Sequence, residues 1–231
     1  MADVKQPVRQ KPEGDLVIDR ARDFWAKSGR TILIACAAVI VLGGGWLAYK
    51  YLVQAPKEQK AAEAIWKAES YFVADSTQKA LKGDGQAPGF EKVMSQYGGT
   101  DQANLSRYYA GAIALKSGDF NKAVENLKEF STSSKLIQAR AYKLLADAYA
   151  SLGKNAEALG NYKKAAAEYE DDQQNSAEYL YLAAYFADRV MNDKKQAVDL
   201  YKELKQKYPN TQFGFEADKF LAQAGVYKID K

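Results

Sequence analysis

The sequence predicts an all-α protein: a single N-terminal transmembrane helix, then a superhelix of antiparallel helical hairpins closed by a C-terminal capping helix. Three observations carry this. Residues Thr31 to Tyr49 (TILIACAAVIVLGGGWLAY) run nineteen positions without a charge. A small-residue turn pattern recurs in the C-terminal half at shifts of 35 and 39 residues. The stretch Lys82 to Gly89 (KGDGQAPG) and Pro209 punctuate the periodic apolar stretches, which marks turns there.

At about 1.5 Å of rise per residue, the uncharged run spans roughly 28 Å, the thickness of a bilayer's hydrocarbon core. Phe24 and Trp25 precede it, and Trp46, Tyr49 and Tyr51 close it, so amphipathic rings fall near both interfaces. Residues 31–53 are therefore read as the anchor. Val53-Gln54-Ala55 offers small residues at the spacing of a signal-peptidase site, but Pro56 directly after it and the long charged lead argue for retention. Residues 1–30 form a tail, partly disordered, with Pro7, Pro12 and Gly14 and few large apolar side chains. Arg20, Arg22, Lys27 and Arg30 before the span, against Lys50, Lys57 and Lys60 after it, favour a cytoplasmic N-terminus and an exported C-terminal domain. Gly44 and Ala48 share a helix face with Gly45 close beside it, a small-residue surface for packing against another transmembrane helix.

Residues 54–98 read as a long juxtamembrane helix and a degenerate first hairpin. Ala61, Ala64, Ile65, Ala68, Phe72 and Leu81 make an apolar stripe over Pro56 to Leu81. The stretch Lys82 to Gly89 (KGDGQAPG) breaks it, and Phe90 to Tyr97 forms the returning helix.

Residues 99–231 hold the repeats and the cap. Gly118-Asp119-Phe120 with Ala123 recurs as Gly153-Lys154-Asn155 with Ala158, and as Asn192-Asp193-Lys194 with Ala197. These intervals lie near the 34-residue period of tetratricopeptide (TPR) hairpins, and the extra residues of the last interval are placed in the polar stretch Glu170 to Ser176. Tyr108, Ala112 and Leu115 precede the first turn, and Leu127 and Phe130 follow it at helical spacing. Asp119 is expected to cap its helix. Tyr142, Leu145, Ala146 and Tyr149, then Tyr162 and Ala165, repeat the pattern; Tyr181, Ala184 and Tyr185, then Tyr201 and Leu204, complete it before Pro209. Thr211 to Ala224, with Phe213, Phe215, Ala217, Phe220 and Leu221, is the cap a repeat stack needs at its open end.

The anchor, the alanine-rich helix after it, the segment from Gly83 through Phe120 (GDGQAPGFEKVMSQYGGTDQANLSRYYAGAIALKSGDF) and the following repeats resemble the YfgM-type proteins. These are single-span, TPR-like subunits of bacterial inner membranes. The resemblance covers roughly residues 20 to 224. It implies that the helical domain faces the periplasm and that its partners are the SecYEG translocon and a PpiD-like membrane chaperone.

Composition narrows the chemistry. The chain has no histidine, which excludes an imidazole-based triad and histidine metal sites, and its one cysteine, Cys36, lies in the apolar run. No phosphate-binding GxxxxGK[ST] loop occurs, and Asp171-Asp172 sits in a polar loop as ordinary solvated charge. With 33 basic and 29 acidic residues interspersed, the net charge of +4 is no nucleic-acid footprint. The expectation is a non-enzymatic protein without cofactor, metal, nucleic acid or small-molecule substrate: an interaction scaffold near the translocon or, as the alternative, an assembly factor or adaptor for another envelope complex. Counting along the first helices of the hairpins puts Tyr108, Lys143, Asp147, Tyr179, Phe186 and Arg189 on the inner, partner-binding face. Aromatics and arginine dominate binding hot spots, which is why this mixture is singled out.

Overall fold

The apolar run of the sequence lies in helix α1, Glu13–Tyr49. The computed structural model describes residues 13–226, with side chains from residue 17. The chain divides into two units at Pro56 and Lys57. In the first unit, Val39, Leu42 and Trp46 are 70%, 73% and 61% exposed, so no protein core covers the apolar side chains. A helix that is apolar on every face and uncovered by protein suits lipid, where all backbone groups must be satisfied within the segment. Among the described residues it is the one helix long and apolar enough to cross a membrane. It begins at Glu13, well inside the stretch read as a tail; the remainder of that reading, residues 1–12, lies outside the described residues.

Within the stretch read as the anchor, residues 31–53, the helix changes its winding: α1 gives way after Tyr49 to a π-helix, Lys50–Gln54, with the Ala55 N–H donating to the Lys50 carbonyl. Proline has no N–H to donate, and its ring crowds the carbonyl four residues back, here Leu52. The wider π turn just ahead of Pro56 accommodates both.

Helix α2, Ala55–Val73, stops eight residues short of the expected Leu81. Asp75 adopts φ +56 as the left-handed residue of a C-terminal cap: its N–H donates to the Phe72 carbonyl at 3.0 Å and that of Ser76 to Tyr71 at 2.8 Å. A short helix α3, Thr77–Lys82, follows. The Lys82 to Gly89 break is a loop held together by hydrogen bonds to Asp84. The Asp84 carboxylate accepts from the N–H groups of Gln86 (3.0 Å) and Ala87 (2.7 Å) and from the Tyr71 hydroxyl (2.6 Å). Helix α4, Phe90–Gln96, returns as expected.

Three hairpins follow: α5 Asp101–Lys116 with α6 Phe120–Glu129, α7 Lys135–Ser151 with α8 Asn155–Glu168, and α9 Gln173–Arg189 with α10 Lys194–Lys207. The cap is α11, Gln212–Gln223. Gly118 (φ +81) and Gly153 (φ +69) end their helices by one motif, in which N–H groups three and five residues after Leu115 and Ala114, or Ala150 and Tyr149, donate back to them. Asp119 and Asp193 then cap α6 and α10 by accepting from Lys122 and Gln196. At Asn192 (φ +55) the turn is one residue wider, and the Asp193 N–H reaches back to Ala187.

The longer third interval does not come from a looped-out Glu170 to Ser176. Asp172 caps α9, and Gln173–Ser176 is its first turn. The added length is helical, since α8 has 14 residues where α6 has 10.

Ala123, Ala158 and Ala197 are 0%, 0% and 2% exposed at the hairpin crossings, where the repeat register requires small residues. In the first hairpin the approach is tightest at Gly111: a Cβ there would come within 2.5 Å of Leu127 Cγ. Along α9, Ala177, Ala183, Ala184 and Ala187 are fully buried, so it sits close to α8, α10 and α11. The first hairpin is held by aromatic packing: Phe90 stacks on Tyr109 at 4.9 Å, with Phe72 also 4.9 Å from Tyr109. Glu58 on α2 accepts from the Asp101 N–H at 2.9 Å, capping α5 from outside its own sequence.

Candidate partner-binding surface

Helices α5, α7 and α9 are the first helices of successive hairpins, and the six residues expected on one inner face fall into three different environments. Lys143 and Asp147 stand one turn apart on α7, with Lys143 Nζ 2.8 Å from Asp147 Oδ2. The Tyr162 hydroxyl of α8 donates to Asp147 Oδ1 at 2.6 Å, and the Tyr162 ring lies 5.7 Å from that of Phe186 on α9. The structure thus brings Lys143, Asp147 and Phe186 together, but around Tyr162, which the sequence marks only as a repeat position. Burial first, then the hydrogen bond to Asp147 and its charge, push the Tyr162 phenol far up and keep it a donor.

Phe186 and Tyr179 are 6% and 5% exposed and belong to the core, so neither offers a side chain to a partner. Counting along an isolated helix leaves one face of α9 open, whereas α8, α10 and α11 cover it on three sides. Arg189 is displaced for a related reason. Its Nε pairs with Asp188 at 2.9 Å and its guanidinium lies 5.9 Å from the Phe220 ring, against α11 and apart from the α7 residues. Tyr108 is half-buried, 5.3 Å from the Phe130 ring and 5.6 Å from that of Tyr109.

Arg140 is the residue the sequence reading passed over. It is exposed on α7, and its charge reaches two tyrosines on the flanking first helices. Burial raises the Tyr108 phenol, and Arg140 opposes that rise. Burial also raises Tyr179, with Glu178 adding to it and Arg140 again opposing. One guanidinium therefore serves α5 and α9 from α7. The available signal was its place one turn before Lys143 on the same helix.

In the first unit, Gly44, Gly45 and Ala48 are exposed, and a Cβ built on either glycine meets nothing within 4 Å. Among the described residues no three or more His, Cys, Asp or Glu side chains gather as metal ligands.

A family model described as a tetratricopeptide repeat-like domain matches residues 22–168, and a tetratricopeptide repeat model matches residues 178–211. No curated protein and no solved structure matches the chain. The first model takes in most of the apolar helix as well as the hairpins through α8, and the second covers α9 and α10. With well over half of its length matched and the hairpin geometry to go with it, the chain belongs to the tetratricopeptide repeat-like domain family.

Proposed function

We propose that this protein is a membrane-anchored interaction scaffold whose repeat domain works at the periplasmic side of a bacterial inner membrane, as an ancillary subunit of the Sec translocon and its chaperone network. The family supports protein partners, since tetratricopeptide repeats are interaction modules. The apolar α1 supports membrane attachment. The YfgM-type resemblance of residues 20 to 224 supports the periplasmic placement and SecYEG and a PpiD-like chaperone as partners.

The observation that carries the reading is Arg140, an exposed cation on α7 whose charge bears on Tyr179 of α9 and on Tyr108 of α5. A half-buried tyrosine and an exposed arginine on neighbouring first helices have the composition of an interface anchor. Tyr108, Arg140 and Lys143 form the accessible part of this surface; Tyr179 and Phe186 support it from behind.

The test places a photo-crosslinking amino acid at Arg140, and separately on the opposite face at Lys163, in cells. Crosslinks to translocon or PpiD-like chaperone subunits from position 140 and not 163 are expected. Crosslinks from 140 to a different envelope complex would favour the adaptor reading instead. An alkaline phosphatase fusion after Lys231 tests the topology independently, and an inactive fusion would remove the periplasmic placement.

A further inference from the structure

Where the chain leaves α2 and returns in α4, an open cavity of about 420 Å³ gathers lysines from three elements. Lys60 of α2, Lys82 at the end of α3 and Lys92 of α4 line it, with Gln86 of the loop and Gln96 one turn beyond Lys92. Glu63 is the one carboxylate among its lining residues. Three ammonium groups against one carboxylate leave two excess positive charges.

These cations are not neutralised by the protein. Lys116 pairs with Asp75, Lys205 with Asp218 and Lys207 with Glu170 and Glu203. Among the described residues no carboxylate pairs with Lys60, Lys82 or Lys92. Asp84 of the neighbouring loop does not line the cavity, and its carboxylate already accepts from Tyr71, Gln86 and Ala87. The three ammonium groups keep their hydrogens for solvent or a ligand, and their mutual repulsion is relieved by a bound anion.

The backbone that presents them is held in place without a ligand. Gly83 and Pro88 pair across the loop, and a Cβ on Gly83 would overlap the Ala87 carbonyl oxygen. On the other side, Lys57 Nζ donates to the Gly98 carbonyl at 2.6 Å and Glu58 accepts from the Asp101 N–H, tying α2 to the turn after α4. A fixed frame lowers the ordering cost of binding to that of the side chains alone.

We propose that the α2–α3–α4 cavity binds a doubly charged phosphate ligand, its oxygens met by the ammonium groups of Lys60, Lys82 and Lys92 and by the carboxamides of Gln86 and Gln96. Lysine offers a point charge with three donors, which suits phosphate, whereas the planar fork of arginine suits a carboxylate. For a chain with an apolar anchor such phosphate has two sources, an anionic phospholipid headgroup and a soluble phosphate compound. The site does not depend on the scaffold reading, since it shares no residue with the Tyr108, Arg140 and Lys143 surface.

The test reads acetylation of individual lysines by N-hydroxysuccinimidyl acetate, using the full chain in nanodiscs and mass spectrometry. One arm adds sn-glycerol 3-phosphate to phosphatidylcholine discs; the other compares those discs with discs of phosphatidylcholine and tetraoleoyl cardiolipin at four to one. Saturable protection of Lys60, Lys82 and Lys92 together, by about threefold or more, is expected in at least one arm, with the exposed Lys128 of α6 and Lys163 of α8 unchanged. Protection by cardiolipin alone assigns the lipid source, and protection by glycerol 3-phosphate assigns the soluble one. Lys82 and Lys92 are exposed, so Lys82→Gln with Lys92→Gln should keep the melting temperature while raising the ligand level that half-protects Lys60 about tenfold or more. No protection in either arm, equal protection of Lys128 and Lys163, or an unchanged half-protecting level in the folded double variant overturns the proposal.

Discussion

The Tyr162 hydroxyl donates to Asp147 Oδ1 at 2.6 Å, tying α8 to α7 across the second hairpin, while Lys143 holds the other carboxylate oxygen at 2.8 Å. The two bonds are not of equal weight. Tyr162 is 7% exposed, so its hydroxyl has no solvent to fall back on, whereas the Lys143 and Asp147 side chains are 33% and 25% exposed. Tyr162→Phe should lower unfolding free energy by about 1–2 kcal/mol, and Lys143→Met by about 0.5 kcal/mol or less. Urea denaturation of the two variants checks the order; a larger loss for the lysine would mean that the ion pair dominates.

The small-residue crossings should be volume-sensitive. Ala123, Ala158 and Ala197 are at most 2% exposed, and Leu at any of them should cost about 1–3 kcal/mol through overpacking. Gly111→Ala belongs to the same set, because its new methyl would sit 2.5 Å from Leu127 Cγ unless that side chain moves. Thermal melts that match wild type for all four would show that these helices do not cross at these residues.

The repeat register was legible because it rests on local chemistry: a left-handed residue at Gly118, Gly153 and Asn192 with a buried alanine five positions on, and an aspartate cap between them in the first and third. Each is fixed by neighbours within a few positions. The stop of α2 at Asp75 was not legible, since an aspartate in the left-handed region carries no sequence mark as glycine does. The extra length in α8 escaped for another reason, as Tyr169 to Ser176 contains both the polar linker and a capped helix start. The candidate surface was the least legible part. Helical counting places Tyr179 and Phe186 on a face, but only tertiary packing decides that this face of α9 is covered. Arg140 emerges only from the tertiary arrangement, because its charge acts on tyrosines of two other helices, distant in sequence.

Acid should act on the Gly83 to Gly89 loop only below about pH 4. The hydrogen bond from Tyr71 first, then those from the Ala87 and Gln86 N–H groups, hold the Asp84 carboxyl at about 2, below its ordinary 3.8. A lowered folded-state pKa means that its contribution is fully present above about pH 4 and is lost as pH falls toward about 2. Asp84→Asn should flatten the pH dependence of loop protection in that window, read by hydrogen exchange at Gln86 and Ala87. Wild-type loss of protection that is unchanged in the variant would place the acid sensitivity elsewhere.

Membrane-side association should depend on the open face of α1. Gly44→Leu with Ala48→Leu fills a surface on which an added glycine Cβ meets nothing within 4 Å. Insertion should be intact and co-purification with membrane partners weaker, because close helix approach in lipid relies on small residues. Full retention of every partner would assign recruitment to the repeat domain alone.

Surface and support residues should separate cleanly in the repeat domain. Phe186→Ala removes a core ring packed against Tyr162 and should cost about 3–5 kcal/mol, so any binding loss in that variant reports unfolding. Arg140→Ala touches an exposed side chain, and its own cost should stay near about 0.5 kcal/mol. If Tyr108, Arg140 and Lys143 form the contact, Arg140→Ala should weaken capture of a partner's soluble domain about tenfold or more while far-ultraviolet circular dichroism and the melting temperature hold. Charge reversal by Arg140→Glu should weaken it further, because a like-charge clash adds to the lost contact. Stable, folded Arg140 variants that bind as wild type does would move the interface away from the first helices, and leave Arg140 as a charge that only biases Tyr108 and Tyr179.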